Sequence, residues 1–147
     1  METNLEDIYA AGDCAETFNV ITGKPTWVPL GSTANKQGRV AGENAAGGSY
    51  EHHGILETGI NKLFDIAAAR TGLSEEAAEE NGFDVFSVKI KAKNHAGYYP
   101  GVEPIHLKGV FAQEDGRLLG AEVVGGEGSD KRIDVLITAI QGTMTAS

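Results

Sequence analysis

The sequence has one cysteine, Cys14, so it can form no internal disulfide and offers no Cys-based zinc set. No apolar run approaches the roughly 20 residues that a membrane-spanning helix needs. Positive charge is scarce: 12 Lys and Arg stand against 21 Asp and Glu, a formal net charge of -9. Such a surface repels the phosphates of nucleic acids and of anionic lipids, which excludes both as expected partners. The start, Met1 to Asp7, lacks the basic residues and apolar core of a secretory signal. A soluble, cytoplasmic protein is the expectation. Neither GxGxxG nor GxxxxGK[ST] occurs, so no dinucleotide or phosphate-loop fingerprint is present. No metal site is expected either. The adjacent His52 and His53 project differently, and no carboxylate or Cys nearby in sequence completes a ligand set, so a solvated loop pair is expected.

What is there suits a soluble domain with part of another: 147 residues, 41% of them hydrophobic. The 20 glycines follow no period, which points to turns and close backbone contacts. The chain divides near Gly47 to His53, giving segments 1–50 and 51–147.

In the first segment, Asp7 to Ala11 reads as a strand ending at Gly12-Asp13, and Thr22 to Thr26 as a hairpin or loop tip. Ser32 to Ala46 reads as a helix that begins near Gly31 or Ser32 and stops at Gly47-Gly48. Its small residues Ala34, Gly38, Gly42 and Ala41, Ala45 recur at four-residue spacing, a stripe that would let another backbone lie close.

In the second segment, Leu56 to Ala67 mixes helical and alternating patterns, and periodicity leaves it undecided. Ser74 to Glu80 is a short helix with a serine cap and acids in its first turn. Phe86, Val88, Ile90 and Ala92 share one face of a half-buried strand, with Ser87, Lys89 and Lys91 on the other. A second strand runs through Ile105, Leu107, Gly109 and Phe111. The turn Glu114-Asp115-Gly116 leads into a third at Leu118 to Val124. Asp130 is positioned to cap a closing helix, about Asp130 to Ala146, with the apolar face Ile133, Leu136, Ile137, Ile140 and Met144. The fold class is α+β: an antiparallel sheet with packed helices.

Three features bear on chemistry. A small apolar strand ending in Gly12-Asp13 would place a carboxylate beyond the strand's carboxyl end, where open α/β sheets bind ligands. Asp13 could accept hydrogen bonds from sugar-like hydroxyls, or simply form a turn. Val123 to Asp130 superficially resembles a phosphate loop, but Asp130 at the helix start would repel phosphate.

The third is Trp27 to Asn44, WVPLGSTANKQGRVAGEN, about 15 residues after Gly12-Asp13. Taken together, the two segments resemble flavoprotein (pyridine nucleotide–disulfide) oxidoreductases. The resemblance is nearest to the coenzyme A-disulfide reductase, NADH oxidase and NADH peroxidase branch. Gly128 to Asp134 (GSDKRID) and His95 to Gly101 (HAGYYPG) resemble pieces of the same family's C-terminal domain.

The resemblance implies that residues 1–50 are the last piece of an FAD-binding domain and 51–147 a dimerisation domain truncated at its end. Asp13, beside Gly12, would bind the ribitol of FAD. The helix start would face the flavin's pyrimidine edge, with Leu30, Thr33 and Ala34 as contacts; Thr33 is alternatively a plain helix-terminal hydroxyl. The resemblance further implies strand at Leu56 to Phe64 and a homodimer. In the parent enzyme, NAD(P)H would be the electron donor and a thiol/disulfide small molecule, peroxide or oxygen the acceptor. Tyr98 or Tyr99 would approach a thiol substrate of the partner subunit. The sequence carries no redox cysteine and no His-Glu acid–base pair, so no catalytic residue is assigned and the chain alone is expected to be inactive. Cys14 reads as a small packing residue. The contrasting reading is a free-standing α+β dimerisation or small-ligand-binding module without redox activity.

Overall fold

In the computed structural model, which describes residues 1–146, Asn19 turns the chain between two short strands. Its Oδ1 accepts from Ile21 N at 2.9 Å and Thr22 N at 3.2 Å. β1 (Thr17–Phe18) thereby pairs antiparallel with β2 (Pro25–Thr26), as the turn residues at Thr22 to Thr26 predict. α1 (Gly31–Ala45) follows and ends before Gly47, whose φ of 94° few side chains adopt. Its buried residues are Thr33 and Gln37, one turn apart. The small-residue stripe behaves differently from expectation. Nothing lies within 4 Å of a Cβ built on Gly38 or Gly42 among the described residues, so close approach along the stripe is confined to its start at Ala34.

The strand expected at Asp7 to Ala11 does not form. Only Tyr9 makes a bridge, to Glu2, while Asp7 has φ 60° and Ile8 is half exposed. Strand-forming residues need a neighbouring strand to take their hydrogen bonds, and the described residues supply one bridge.

Contacts cluster into two units, Met1–Ile55 and the chain from Leu56 onward. The second unit is built on one five-stranded antiparallel sheet. Its strands are β3 (Gly59–Leu63), β4 (Ile66–Gly72), β5 (Val85–Lys93), β6 (Pro104–Ala112) and β7 (Leu118–Gly125), in the order β3-β4-β7-β6-β5. The undecided stretch at Leu56 to Ala67 therefore includes strand, as the family resemblance implied. The helix α2 (Glu75–Glu80) connects β4 to β5, and Ser74 Oγ caps it by accepting from Ala77 N at 3.1 Å. The helix α3 (Ser129–Gln141) closes the chain over β4 and β7.

The core lies between α3 and the sheet. Ala69, Ile105, Val123 and Ile133 are buried together, with Leu107 and Leu136 against them. Each large aliphatic side chain so buried contributes about 1.5–3 kcal/mol. Phe86 to Ala92 lies in a strand and Phe86 stacks on Phe111 at 5.4 Å, but the half-buried alternation expected there does not appear: every residue from Val88 to Lys93 is exposed. The helix α3 packs mainly on β4 and β7, which leaves Val88 and Ile90 of the edge strand β5 about half exposed. Lys89, Lys91 and Lys93 along that edge discourage pairing with another chain.

Two expectations about α3 are corrected. Its N-cap is Gly128, in the left-handed region at φ 88°, and Asp130 sits within the first turn without capping. The left-handed turn is what brings Ser129 into the helix, with its Oγ donating to Gly126 O at 2.9 Å. At the other end the helix stops at Gln141. Thr143 has φ 51° and Met144 is exposed, so Met144 is not on the buried face.

Candidate functional site

Gly12 turns the chain at φ 83°, a conformation glycine adopts without strain, and Ala15 N closes the turn on Gly12 O at 2.9 Å. Two side chains hold this turn. Gln37 Oε1 accepts from Gly12 N at 2.8 Å, and Trp27 Nε1 donates to Asp13 O at 2.8 Å. A Cβ built on Gly12 would touch Ala34 Cβ at 3.5 Å, so the turn lies against the first turns of α1. Gly12 and Ala34 are thus brought together, with Asp13 exposed beside them and in no ion pair among the described residues.

The start of α1 has the electrostatics of an anion-receptive end. Its N-cap residue, Leu30, offers no side-chain cap, and its first turn contains no acid. The positive end of the helix dipole is left uncompensated by the helix's own residues. Thr33 is buried and Leu30 is partly exposed. Gln37 and Trp27 belong to this arrangement, though sequence reasoning singled out neither. Their contacts reach 25 and 14 residues back along the chain, and no local pattern announces them.

Cys14 is exposed, not packed; its Sγ lies 3.4 Å from Ala11 O. The expected packing role is therefore corrected: the turn at Gly12 carries the side chain outward. His52 also departs from expectation. Its Nδ1 accepts from Gly54 N at 3.3 Å and lies 3.2 Å from Thr17 Oγ1, and burial lowers its pKa below the usual value. His53 is exposed. Among the described residues no group of three or more His, Cys, Asp and Glu could hold a metal. A cleft of about 900 Å³ in the first unit is lined by Glu2, Cys14, Thr17, Phe18, Tyr50 and His52 among others. Asp13, Leu30, Thr33 and Ala34 do not line it.

In the second unit, Tyr98 and Tyr99 stand 84% and 60% exposed on the connection between β5 and β6. Their rings lie 5.0 Å apart, and His95 meets Tyr99 edge-on at 6.1 Å. The base of this loop is fixed. Buried Asn94 and Glu103 exchange hydrogen bonds of 2.9 and 3.0 Å, and Arg132 Nη2 donates to Asn94 O at 2.5 Å. The Glu103 carboxylate lies against Gly126, and Arg132 Nη1 donates to Gly128 O at 3.2 Å in the same turn.

A family model described as the pyridine nucleotide-disulphide oxidoreductase dimerisation domain matches residues 61–147. The chain belongs to this family. It is 50% identical over 127 residues to the CoA-dependent NAD(P)H sulfur oxidoreductase of Pyrococcus furiosus, covering 86% of this chain and 29% of that protein. The structure of an NAD-dependent persulfide reductase from A. fulgidus superimposes with a TM-score of 0.96 at 47% identity, covering 99% of this chain and 27% of that one. A FAD-dependent pyridine nucleotide-disulphide oxidoreductase from Desulfovibrio vulgaris gives a TM-score of 0.82 at 33% identity, covering 99% and 34%. The chain thus spans about a third or less of the length of these relatives, which are oxidoreductases. Among the described residues no helix is long and apolar enough to cross a membrane.

Proposed function

We propose that this chain is the C-terminal part of an FAD-dependent NAD(P)H oxidoreductase of disulfides or persulfides, which works as a cytoplasmic homodimer. Residues 1–50 complete its FAD-binding domain, and residues 51–147 provide the subunit interface. The observation that carries the reading is the Gly12-Asp13 turn held against the uncapped start of α1. An exposed carboxylate and an uncompensated helix N-terminus are the two groups that a polyol chain and an electron-rich ring edge require.

The residues present fit FAD. Asp13 would accept from the ribitol hydroxyls, and Gly12 leaves room for close approach. The α1 N-terminus, with Leu30, Thr33 and Ala34, would stabilise negative charge at the flavin's pyrimidine edge by about 0.3–2 kcal/mol. Bound FAD supplies the hydride acceptor for NAD(P)H and the electrons for the final acceptor. The relatives' names favour a sulfur acceptor (CoA-linked or persulfide) over peroxide or oxygen. Tyr98 and Tyr99, exposed on a loop with a fixed base, are suited to meet such a substrate in the partner's site.

The test is the complete gene product, purified and scanned for flavin absorbance, then assayed with NADH and NADPH against CoA disulfide, persulfide and oxygen. The expected result is one bound FAD per subunit, lost or weakened at least tenfold in Asp13→Ala. A flavin-free gene product would instead support a dimerisation or ligand-binding module without redox activity.

A further inference from the structure

We propose that Gln37 is a positioning residue for the flavin-binding turn, a clamp that fixes Gly12 and so aims Asp13. The inference rests on the reading of Gly12-Asp13 as a flavin site. Gln37 is 0% exposed, two turns into α1, and its Oε1 takes the Gly12 N–H at 2.8 Å. Its Nε2 is buried with no hydrogen-bond partner among the described residues.

A fully buried carboxamide with one unmatched end carries a desolvation penalty that an apolar residue of the same length would avoid. A residue kept there for packing alone would be Leu or Met. The one bond Gln37 makes falls on the amide of the residue at φ 83° that precedes Asp13. That amide, in the Ala11–Gly12 peptide, is oriented by Gln37, while Trp27 Nε1 holds the carbonyl of the Asp13–Cys14 peptide, Asp13 O, at 2.8 Å. The peptides on either side of the Gly12–Asp13 link are therefore pinned, by side chains from α1 and from the segment leading to it. Asp13's carboxylate is thereby left with one backbone orientation to extend from.

The experiment compares Gln37→Met, Gln37→Glu and Asp13→Ala in the complete gene product. The readouts are FAD titration of the apoprotein and hydrogen exchange of the Gly12 amide. Met keeps length and removes the acceptor, so FAD affinity falls about tenfold and Gly12 exchange speeds by a similar factor. Glu in its neutral form keeps an acceptor oxygen, so affinity stays within about threefold of the parent. Wild-type affinity in Gln37→Met, or an equal loss in Gln37→Glu, overturns the clamp. If Gln37→Met does not fold, the Gln37→Glu affinity and the protection of the Gly12 amide in the parent decide it; a freely exchanging Gly12 amide overturns it. If the parent holds no flavin, or Asp13→Ala binds as the parent does, the flavin-site reading fails. The Gly12 exchange rates then show separately whether Gln37 holds the turn.

Discussion

At the scale of single residues, His52 and the Glu75–Lys108 pair have the shifted pKa values most open to measurement. His52 Nδ1 accepts the Gly54 N–H, so the neutral ring carries its proton on Nε2, which is buried without a partner among the described residues. Protonating Nδ1 would break that bond, and burial already lowers the pKa from the ordinary 6.5. A group whose folded pKa is depressed takes up protons preferentially when unfolded. Its contribution is thus present above about pH 6.5 and is lost as the pH falls through the lowered value. Denaturation midpoints are expected to drop between pH 7 and 5. His52→Asn, whose Oδ1 can accept the same Gly54 N–H without titrating, is expected to flatten that limb; an unchanged slope in the variant would refute the assignment. Glu75 behaves similarly at lower pH. The hydrogen bond from Lys108, whose Nζ lies 2.6 Å from Oε2, holds the Glu75 carboxyl below its usual 4.5, and Glu75 in turn raises the Lys108 pKa above 10.5. The pair's support is lost below about pH 4.5 as Glu75 protonates and above about pH 10.5 as Lys108 deprotonates. Both side chains keep solvent contact, so Glu75→Gln should remove a shallow acid slope and leave neutral-pH stability nearly unchanged in urea melts.

At the scale of elements, glycines separate close packing from open space. A Cβ on Gly120 would collide with the Leu73 carbonyl, and one on Gly72, at φ 66°, with Leu119 O. The chain before α2 crosses β7 backbone to backbone there, and Leu73 N donates to Leu119 O at 2.9 Å. Gly120→Ala is expected to cost about 3 kcal/mol or more, visible as a large fall in melting temperature. Gly38→Ala and Gly42→Ala lie on an open helix face and should each stabilise this chain by about 0.5–1 kcal/mol in the same assay. A loss of stability at Gly38 or Gly42 would mean that something packs on that face after all. The same contrast separates what was legible in the sequence from what was not. Strands β5 to β7, their hairpin turn and the Ser74 cap were readable because alternation and capping are local signals. Asp7 to Ala11 was misread because a run of small and apolar residues reports fitness for a strand and says nothing of a neighbour to pair with. Met144 was placed on the helix because its apolar spacing continues past the turn at Thr143. Gly12, Asp13 and Ala34 were singled out by motif likeness, but Gln37 was not. A polar residue buried by a contact 25 positions away looks in sequence like any exposed glutamine.

At the scale of the whole molecule, the chain's affiliation and its proposed chemistry rest on different parts. The family match covers residues 61–147, the sheet and its helices, whereas the proposed flavin contacts lie before residue 35. The sheet unit has a buried core of its own, with Val123 and Ala78 at 0% exposure. The first unit offers the proposed flavin site one carboxylate, Asp13, and one helix end, and its single thiol, Cys14, is exposed. Hydride transfer from NAD(P)H needs a flavin held on both faces and a site for the nicotinamide, which a turn and one helix end do not supply. The 147-residue chain alone, mixed with FAD and NADH or NADPH, is therefore expected to consume neither above the rate of free flavin. Absorbance at the nicotinamide band over an hour measures it directly. Turnover that scales with chain concentration would show that these residues hold a complete redox site, and the division of labour proposed for the two units would have to be abandoned.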